Sequence, residues 1–280
     1  MSAARHAKAR EDAMKSGDRQ IKAEAAARGT TLVEMVVAVA VFAAIVAVAL
    51  DMSLMASRAA SDTASRSALE NEAEQHSLEL IEALSDCTKL WSYADTHFVV
   101  FSVPVDGDGN GTVLDAGDPA TGVLPHIEFG ARASELAAPL PNGEIVYFFG
   151  GQGATGYGSA ELGTFRTLSE AVEGVDINGD GDMNDTFDVG TIYRQIYDSN
   201  GTAVTSPRPI TGPNVVQRSG RANYGKCIKH DNCTVCDSSK IFFLDHTYIM
   251  HVNLWLLRMP ESRRPILVHT HQQVYLRNQE

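Results

Sequence analysis

Between residues 176 and 188, oxygen-bearing side chains have the spacing of a calcium-binding loop. Acidic or amide residues occupy the first, third and fifth positions, and Gly181 occupies the sixth. Alternate side chains of such a loop can converge on one cation, and the glycine allows the chain to reverse. The twelfth position is Phe187, where calcium loops commonly have an acid, so a later or earlier carboxylate would have to replace it. The predicted ligands are Asp176, Asn178, Asp180, Asp182, Asp185 and Asp188.

The same pattern occurs a second time, between residues 106 and 118. This segment contains four glycines, and an asparagine replaces one carboxylate. Its predicted ligands are Asp106, Asp108, Asn110, Asp115 and Asp118. The loop from residue 176 resembles those of EF-hand and dockerin proteins, although no strong helix pattern flanks it. For both segments the alternative is an acidic turn that is solvated and holds no metal.

Four cysteines form a second set of residues with defined chemistry: Cys87, Cys227, Cys233 and Cys236. In an exported protein they are predicted to form disulfides, one of which would join Cys87 to the cysteine-rich segment. Three connectivities are possible. The spacing of Cys227, His230, Cys233 and Cys236 leaves zinc binding open as an alternative.

No Ser/His/Asp set and no pair of carboxylates can be argued to be catalytic, so the sequence predicts no enzyme. The net charge of −12 disfavours binding to phosphate backbones, and no nucleic-acid partner is predicted. Three histidines near the C-terminus, His251, His269 and His271, are predicted to share one face of a sheet. A polar solvent-facing surface is the first interpretation of that face, and a metal site is the second.

A run of twenty residues from Thr31 to Leu50 contains one charged residue, Glu34. About 20 such residues are enough to cross a bilayer as a helix. The first 29 residues carry seven basic and four acidic side chains, so their removal changes the net charge to about −15. A basic flank tends to stay in the cytoplasm, and the rest of the chain is expected to face outward. Translation could start at Met1 or at Met14.

The junction Arg28-Gly29-Thr30-Thr31-Leu32-Val33-Glu34 and the apolar run after it resemble the processing site of type IV prepilins. The resemblance covers about 25 residues. It implies cleavage by a prepilin peptidase between Gly29 and Thr30, methylation of the new terminus, and pairing of Glu34 with the α-amino group of a neighbouring subunit. The first mature residue of that family is usually Phe, and Thr30 departs from this pattern. An ordinary signal peptide would instead lose its apolar segment on cleavage.

The resemblance implies a structural subunit, a minor pilin or pseudopilin, of a type IV pilus or a type II secretion filament. The size of the chain and its C-terminal hairpin look most like J-type minor pseudopilins or W-type minor pilins. The implied partners are other pilin or pseudopilin subunits, the prepilin peptidase, the inner-membrane assembly platform and the membrane. Such a subunit is a single-pass inner-membrane protein before it enters a periplasmic or extracellular filament. The alternative is a membrane-anchored periplasmic calcium-binding protein that does not polymerise.

The residues after the junction predict one long helix. Neither Gly nor Pro occurs from Thr30 to Val103, and a stripe recurs at spacings of three and four residues. The helix is therefore predicted to extend from about Thr31 to about Trp91. The stripe consists of Leu69, Ala73, His76, Leu80, Leu84, Cys87 and Trp91.

After Thr96 the pattern changes to that of strands, at residues 97–103, 144–149, 190–197, 248–258 and 266–276. Long Gly- and Asp-rich loops separate them. We predict an α+β fold in which a long N-terminal helix, membrane-spanning in its first half, packs on an antiparallel β-sheet head. The predicted divisions are a removed leader (1–29), a transmembrane or filament-core half-helix (30–51), an amphipathic half-helix (52–95) and the head (96–280).

Overall fold

A computed structural model describes residues 31–92, 98–118, 120–132, 134, 136–177, 181–218, 241–244, 249–259 and 265–276. The contacts within the chain divide it into two compact units, with the boundary between Asp62 and Thr63. One long apolar helix near the N-terminus and an antiparallel β-sheet make up its regular structure, which is compatible with the predicted α+β class.

The described residues contain two helices and fourteen strands. The helices are α1 (Leu32–Ser85) and α2 (Glu170–Glu173). The first seven strands are β1 (Lys89–Ser92), β2 (Phe98–Pro104), β3 (Leu114–Asp115), β4 (His126–Ile127), β5 (Phe129–Ala131), β6 (Leu140–Pro141) and β7 (Glu144–Gly150). The other seven are β8 (Arg166–Ser169), β9 (Thr186–Tyr197), β10 (Arg208–Pro209), β11 (Val215–Arg218), β12 (Phe242–Leu244), β13 (Ile249–Arg258) and β14 (Ile266–Tyr275).

The first part of α1 has its apolar side chains exposed on every side. Large apolar residues from Leu32 to Met55 are more than a third accessible, and most are more than half accessible. The absence of Gly and Pro, the residues least favourable in a helix interior, explains why the helix continues without a break. By length and composition α1 could cross a membrane, although an N-terminal signal sequence satisfies the same criteria.

In the second unit, α1 buries one stripe of small and apolar side chains. Leu69, Ala73, Leu80 and Leu84 are fully buried, which confirms four positions of the predicted stripe. Ser77 is also buried, and its hydroxyl donates to the carbonyl of Ala73 and lies 2.9 Å from the hydroxyl of Thr270 on β14. This side-chain contact attaches the helix directly to the sheet.

A polar contact accompanies this apolar stripe. The Glu72 carboxylate accepts a hydrogen bond of 3.0 Å from the Asn214 side chain, beside β11. The second oxygen of the Glu72 carboxylate lies 3.6 Å from a guanidinium nitrogen of Arg258, at the end of β13. The predicted stripe residue His76 is not buried with its neighbours, and its ring lies 4.0 Å from the same carboxylate.

The helix ends at Ser85, before the predicted ends at residues 91 and 95. Ser85 donates its hydroxyl to the carbonyl of Glu82 (2.7 Å), and the Thr88 N–H donates to the carbonyl of Ser102 on β2 (2.8 Å). Serine, aspartate and threonine compete for backbone hydrogen bonds at such positions. The chain then continues as β1, so Trp91 lies on a strand and is 42% exposed. The prediction of helix as far as residue 95 was therefore wrong.

Twelve strands form one antiparallel sheet, in which β9, β7 and β2 are adjacent. The longest pairing joins β13 to β14 over ten residues of each strand. All five predicted strands occur in this sheet. The strands that were not predicted contain two to four residues, too few for an alternation of apolar and polar residues to be recognised.

Alternate residues of these strands pack on opposite faces of the sheet. One face carries Phe101, Ile192 and Leu254, which belong to the same buried core as the α1 stripe. The opposite face carries two smaller apolar clusters, one around Phe148 and one around Phe187. The core cluster that contains the α1 stripe therefore lies on one face of the sheet, and the two smaller clusters lie on the other.

We predict that Leu80→Ala lowers the free energy of unfolding by about 3 kcal/mol, because it leaves a cavity between α1 and the sheet. The midpoint of thermal unfolding of the full chain in detergent micelles should fall by roughly 10 °C. Leu78→Ala is the matched control, since Leu78 is 54% exposed on the same helix. Equal effects of the two substitutions would contradict this packing.

Candidate functional site

The only charged residue of the apolar run forms hydrogen bonds with the first turn of its own helix. Glu34 Oε2 accepts from the backbone N–H of Thr31 (2.9 Å) and from its hydroxyl (3.2 Å). In return, the Glu34 N–H donates to the Thr31 hydroxyl oxygen (3.2 Å). This reciprocal arrangement is a capping box, in which the first unpaired N–H groups of a helix are satisfied by side chains. Gly29 and Thr30, the predicted processing residues, lie outside the described residues.

The capping box was not predicted, although its signal is present in the sequence. Thr31-Leu32-Val33-Glu34 has the Thr-x-x-Glu spacing that precedes an apolar run. The glutamate therefore has a local structural role in addition to any role in assembly. Both residues follow the predicted cut, so processing would leave the capping box intact.

The structure brings Asp106 and Asp108, in the loop after β2, close to Glu128, which lies between β4 and β5. One carboxylate oxygen from each lies within 4.8 Å of the others, close enough for one cation. We call these residues the three-carboxylate group. The Gly107 N–H donates to Glu128 Oε2 (2.7 Å), which joins the segment before β5 to this loop. Glu128 was not predicted, because a residue twenty positions away reaches the loop only through the tertiary fold.

Backbone N–H groups shape this loop around Asp106. Its two carboxylate oxygens accept from the N–H groups of Gly109 and Gly111, each at 2.7 Å. Both glycines have positive φ angles, 77° and 86°, which explains why glycine is used there. These bonds, that of Gly111 first, lower the pKa of Asp106 below the ordinary value of 3.8. The carboxylate therefore stays ionised well into the acid range.

The other predicted ligands of this segment have separate partners. Asn110 Oδ1 accepts from the N–H and the hydroxyl of Thr112, and Asp115 Oδ1 accepts from the Gly117 N–H. Asp118 forms its own turn with Ala120 and Thr121. The three-carboxylate group contains two of the five predicted ligands of this segment and does not include Asp115 or Asp118. Short-range turns hold both carboxylates, since each accepts from an N–H group two residues later.

The segment from residue 176 repeats the first contact of the Asp106 loop. Asp176 Oδ2 accepts from the Gly181 N–H (2.8 Å), as Asp106 Oδ2 does from Gly111, and Gly181 has a φ of 84°. Asp182 accepts from the backbone and side chain of Asn184. The predicted ligands Asn178 and Asp180 lie outside the part of the chain that the structure describes.

The remaining acids of this segment have different surroundings. Asp188 lies within β9 and accepts from the Thr167 hydroxyl (2.6 Å), so it belongs to a strand pair. Asp185 is 8% exposed, and its carbonyl accepts from the Glu170 N–H (3.1 Å). Glu170 itself is fully buried and accepts from the Ile177 N–H (2.6 Å). No sequence signal identified Glu170 as a neighbour of this loop.

The cysteine predictions remain predictions. Cys87 is buried after the end of α1, and burial raises the pKa of its thiol to about 12. In its reduced form this group is protonated at neutral pH. Cys227, Cys233 and Cys236, with His230 of the alternative zinc site, lie outside the described residues.

The three C-terminal histidines lie on one face of β13 and β14, as the alternation predicts. The rings of His251 and His271 contact each other, with a nitrogen of one 2.9 Å from a nitrogen of the other. The ring of His269 instead stacks on Trp255 at 4.0 Å.

Two features among the described residues bear on function: Glu34 on the first turn of an apolar helix, and the three-carboxylate group beside β2. No protein-family profile, curated protein or solved structure matches this chain. The proposal for function below rests on these residues and on the predicted processing junction.

Proposed function

We propose that this chain is a structural subunit, a minor pilin or pseudopilin, of a type IV pilus or a type II secretion filament. The observation that carries the proposal is an ionisable carboxylate on the first turn of an exposed apolar helix, five residues after Gly29. A prepilin peptidase would cut between Gly29 and Thr30. The subunit would reside in the inner membrane before assembly and then in a periplasmic or extracellular filament.

The exposed apolar surface of α1 supports this proposal. A helix that is apolar on every side needs an apolar environment, and a soluble monomer would leave it in water. A bilayer supplies that environment before assembly. The packed helices of neighbouring subunits supply it in a filament, where the assembly platform would deliver each subunit.

Glu34 supplies specificity within that apolar environment. Its capping bonds satisfy one carboxylate oxygen but do not remove the negative charge. A charge placed among apolar helices is costly unless a cation pairs with it. Cleavage would create such a cation, the α-amino group of Thr30. The pairing of this group with Glu34 of a neighbouring subunit would therefore select the register between subunits.

We further propose that calcium stabilises the head. The support is the three-carboxylate group, which combines hard oxygen ligands in one place. Three ionised carboxylates within 4.8 Å repel one another when no cation is present. Neighbouring oxygens of the same loop would complete the coordination. In the second loop, the Asp176 carboxylate also accepts from the N–H group of a glycine five residues later. This loop is proposed as a further calcium site.

A non-polymerising membrane-anchored calcium-binding protein is the second candidate. The exposed helix and the three-carboxylate group favour it equally, because an anchor also needs an apolar helix. It would not require Gly29 cleavage or the charge of Glu34. The experiments on those two residues therefore separate the candidates.

Gly29→Leu should block processing, because it removes the small residue at the proposed cut. Mass spectrometry of the membrane-bound protein should find a mature chain that begins at Thr30 in the wild type and an intact leader in the variant. Gly29→Ala is the control, since it keeps a small side chain and should be processed. Mature protein of wild-type mass from the leucine variant would contradict the proposed site.

Glu34→Gln should reduce incorporation into filaments at least tenfold, since it removes the charge while its amide oxygen can preserve the capping box. Glu34→Ala removes both the charge and the cap, so comparison of the two variants separates assembly from helix capping. Both should remain membrane-inserted and folded. The measurement is incorporation in competition with wild-type subunits. Normal incorporation of the glutamine variant would contradict the charge pairing, whatever the alanine variant does.

Calcium at a hundredfold excess over Kd should stabilise the folded chain by about 2.7 kcal/mol per site. The full chain in detergent should therefore melt at a higher temperature in millimolar calcium than in chelator. Glu128→Gln should shrink this difference, and Asp176→Asn should remove much of the rest. Asp118→Asn is the matched control, because this acid lies in its own turn and should leave the response unchanged. A wild-type melting temperature that chelator does not change would contradict both calcium sites.

A further inference from the structure

The imidazoles of His251 and His271 meet on the face of the sheet opposite to α1. The strand register places His271 across from Asn253, so His251 is its diagonal neighbour on β13. Thr270, the residue before His271, contacts Ser77 of the helix, and alternation turns His271 to the other face. His251 is 1% exposed, whereas His271 is half-buried.

The two rings lie end to end in nearly one plane. Nδ1 of His251 is 2.9 Å from Nε2 of His271, the ring planes differ by 5°, and the ring centroids are 5.2 Å apart. With C–N bonds of about 1.33 Å, a ring nitrogen lies about 1.1 Å from the centre of its ring. Two rings that point these nitrogens directly at each other therefore have centroids about 5.1 Å apart. The observed separation is that of a linear N–H···N hydrogen bond.

Such a bond requires one proton between the two nitrogens. Neutral imidazole has one donor and one acceptor nitrogen, so a neutral pair can form it. A pair with one additional proton can also form it, because an imidazolium donates to the neutral ring. A doubly protonated pair cannot, because two N–H groups would then face each other at 2.9 Å.

We propose that His251 and His271 share one proton and form a pH-sensitive lock between β13 and β14, which opens when both imidazoles become protonated. This inference does not depend on the proposed filament function. His251 and His271 then serve in proton binding in place of a solvent-facing surface or a metal site.

The surroundings of the pair favour its closed state at neutral pH. Burial, and then the neighbouring His251, lower the pKa of His271 below its ordinary value. The Phe243 ring from β12 packs 5.7 Å from the His251 ring. By register, the titratable residues beside the pair on this face of β13 and β14 are His269 and Tyr275. Tyrosine keeps its charge state between pH 5 and 8, so Tyr275 does not change the charge beside the pair in that range.

The direction of the pH effect follows from proton counting. The unfolded chain binds a proton on each histidine near pH 6.5, whereas the closed pair resists the second one. The lock therefore stabilises the fold fully above about pH 6.5. Its contribution is lost as the pH falls from there through the lowered pKa of His271.

The geometry does not favour a resident metal between the rings. Metal–nitrogen bonds of about 2.0–2.1 Å would separate two linearly coordinating nitrogens by about 4 Å. The observed separation of 2.9 Å is that of a proton bridge.

His271→Gln tests the proposal, because the amide can replace the hydrogen-bonding nitrogen but does not titrate. The wild-type full chain in detergent should lose about 3 °C more in melting temperature between pH 7.5 and pH 5.0 than this variant does. His269→Gln is the matched control, on the same strand and face but stacked on Trp255, and should retain the wild-type difference. His251→Asn, which offers an amide at the Nδ1 position, should behave like His271→Gln.

Histidine NMR titration of the wild type supplies a readout that a purely structural role would not change. Coupled titration of His251 and His271 in two separate steps, with His269 titrating independently, would support the shared proton. Independent titration of all three, or the same pH dependence in His271→Gln as in the wild type, would overturn it. Zinc or nickel that raises the melting temperature of the wild type but not of His271→Gln would also overturn it, in favour of a metal site.

Discussion

Exposed apolar surface on every side of a helix must be removed from water, and the first part of α1 carries such a surface from Leu32 to Met55. A helix can enter an apolar environment because it satisfies its own backbone hydrogen bonds. Further along the same helix, the buried apolar side chains form one stripe, which the sheet covers in the second unit. One uninterrupted element therefore has to serve two environments, and the absence of Gly and Pro makes this possible.

Several carboxylates of the described chain accept hydrogen bonds from backbone N–H groups. Glu34 caps α1, Asp106 and Asp176 each accept from a glycine five residues later, and Asp198 closes a turn with Thr202. These bonds lower the pKa of Asp106, Asp118 and Asp198. Their stabilisation is present above the ordinary carboxyl pKa of 3.8 and is lost as the pH falls through the lowered values. The stabilisation from these turns is therefore lost at a lower pH than the stabilisation from the histidine pair.

The same carboxylates link structure to the proposed function. An aspartate turn is stable without metal, but it also fixes negative charge at a defined place, which is what a cation site needs. At the start of α1, the cap fixes the charge of Glu34 near the position where processing would create an amino group. In both places a local structural bond positions a group that would act on a partner.

Local patterns of the sequence were sufficient for α1, for four residues of its buried stripe and for the five long strands, because helix and strand periods repeat within a few residues. The capping box of Glu34 was also encoded locally, although it was not recognised. Tertiary structure decided the rest. Glu128 and Glu170 reach the two acidic loops from other segments, β1 ends the helix early by pairing with β2, and the register of β13 and β14 sets the distance between His251 and His271. These contacts depend on how distant strands pair, and strand pairing leaves no period within either strand from which its register could be read.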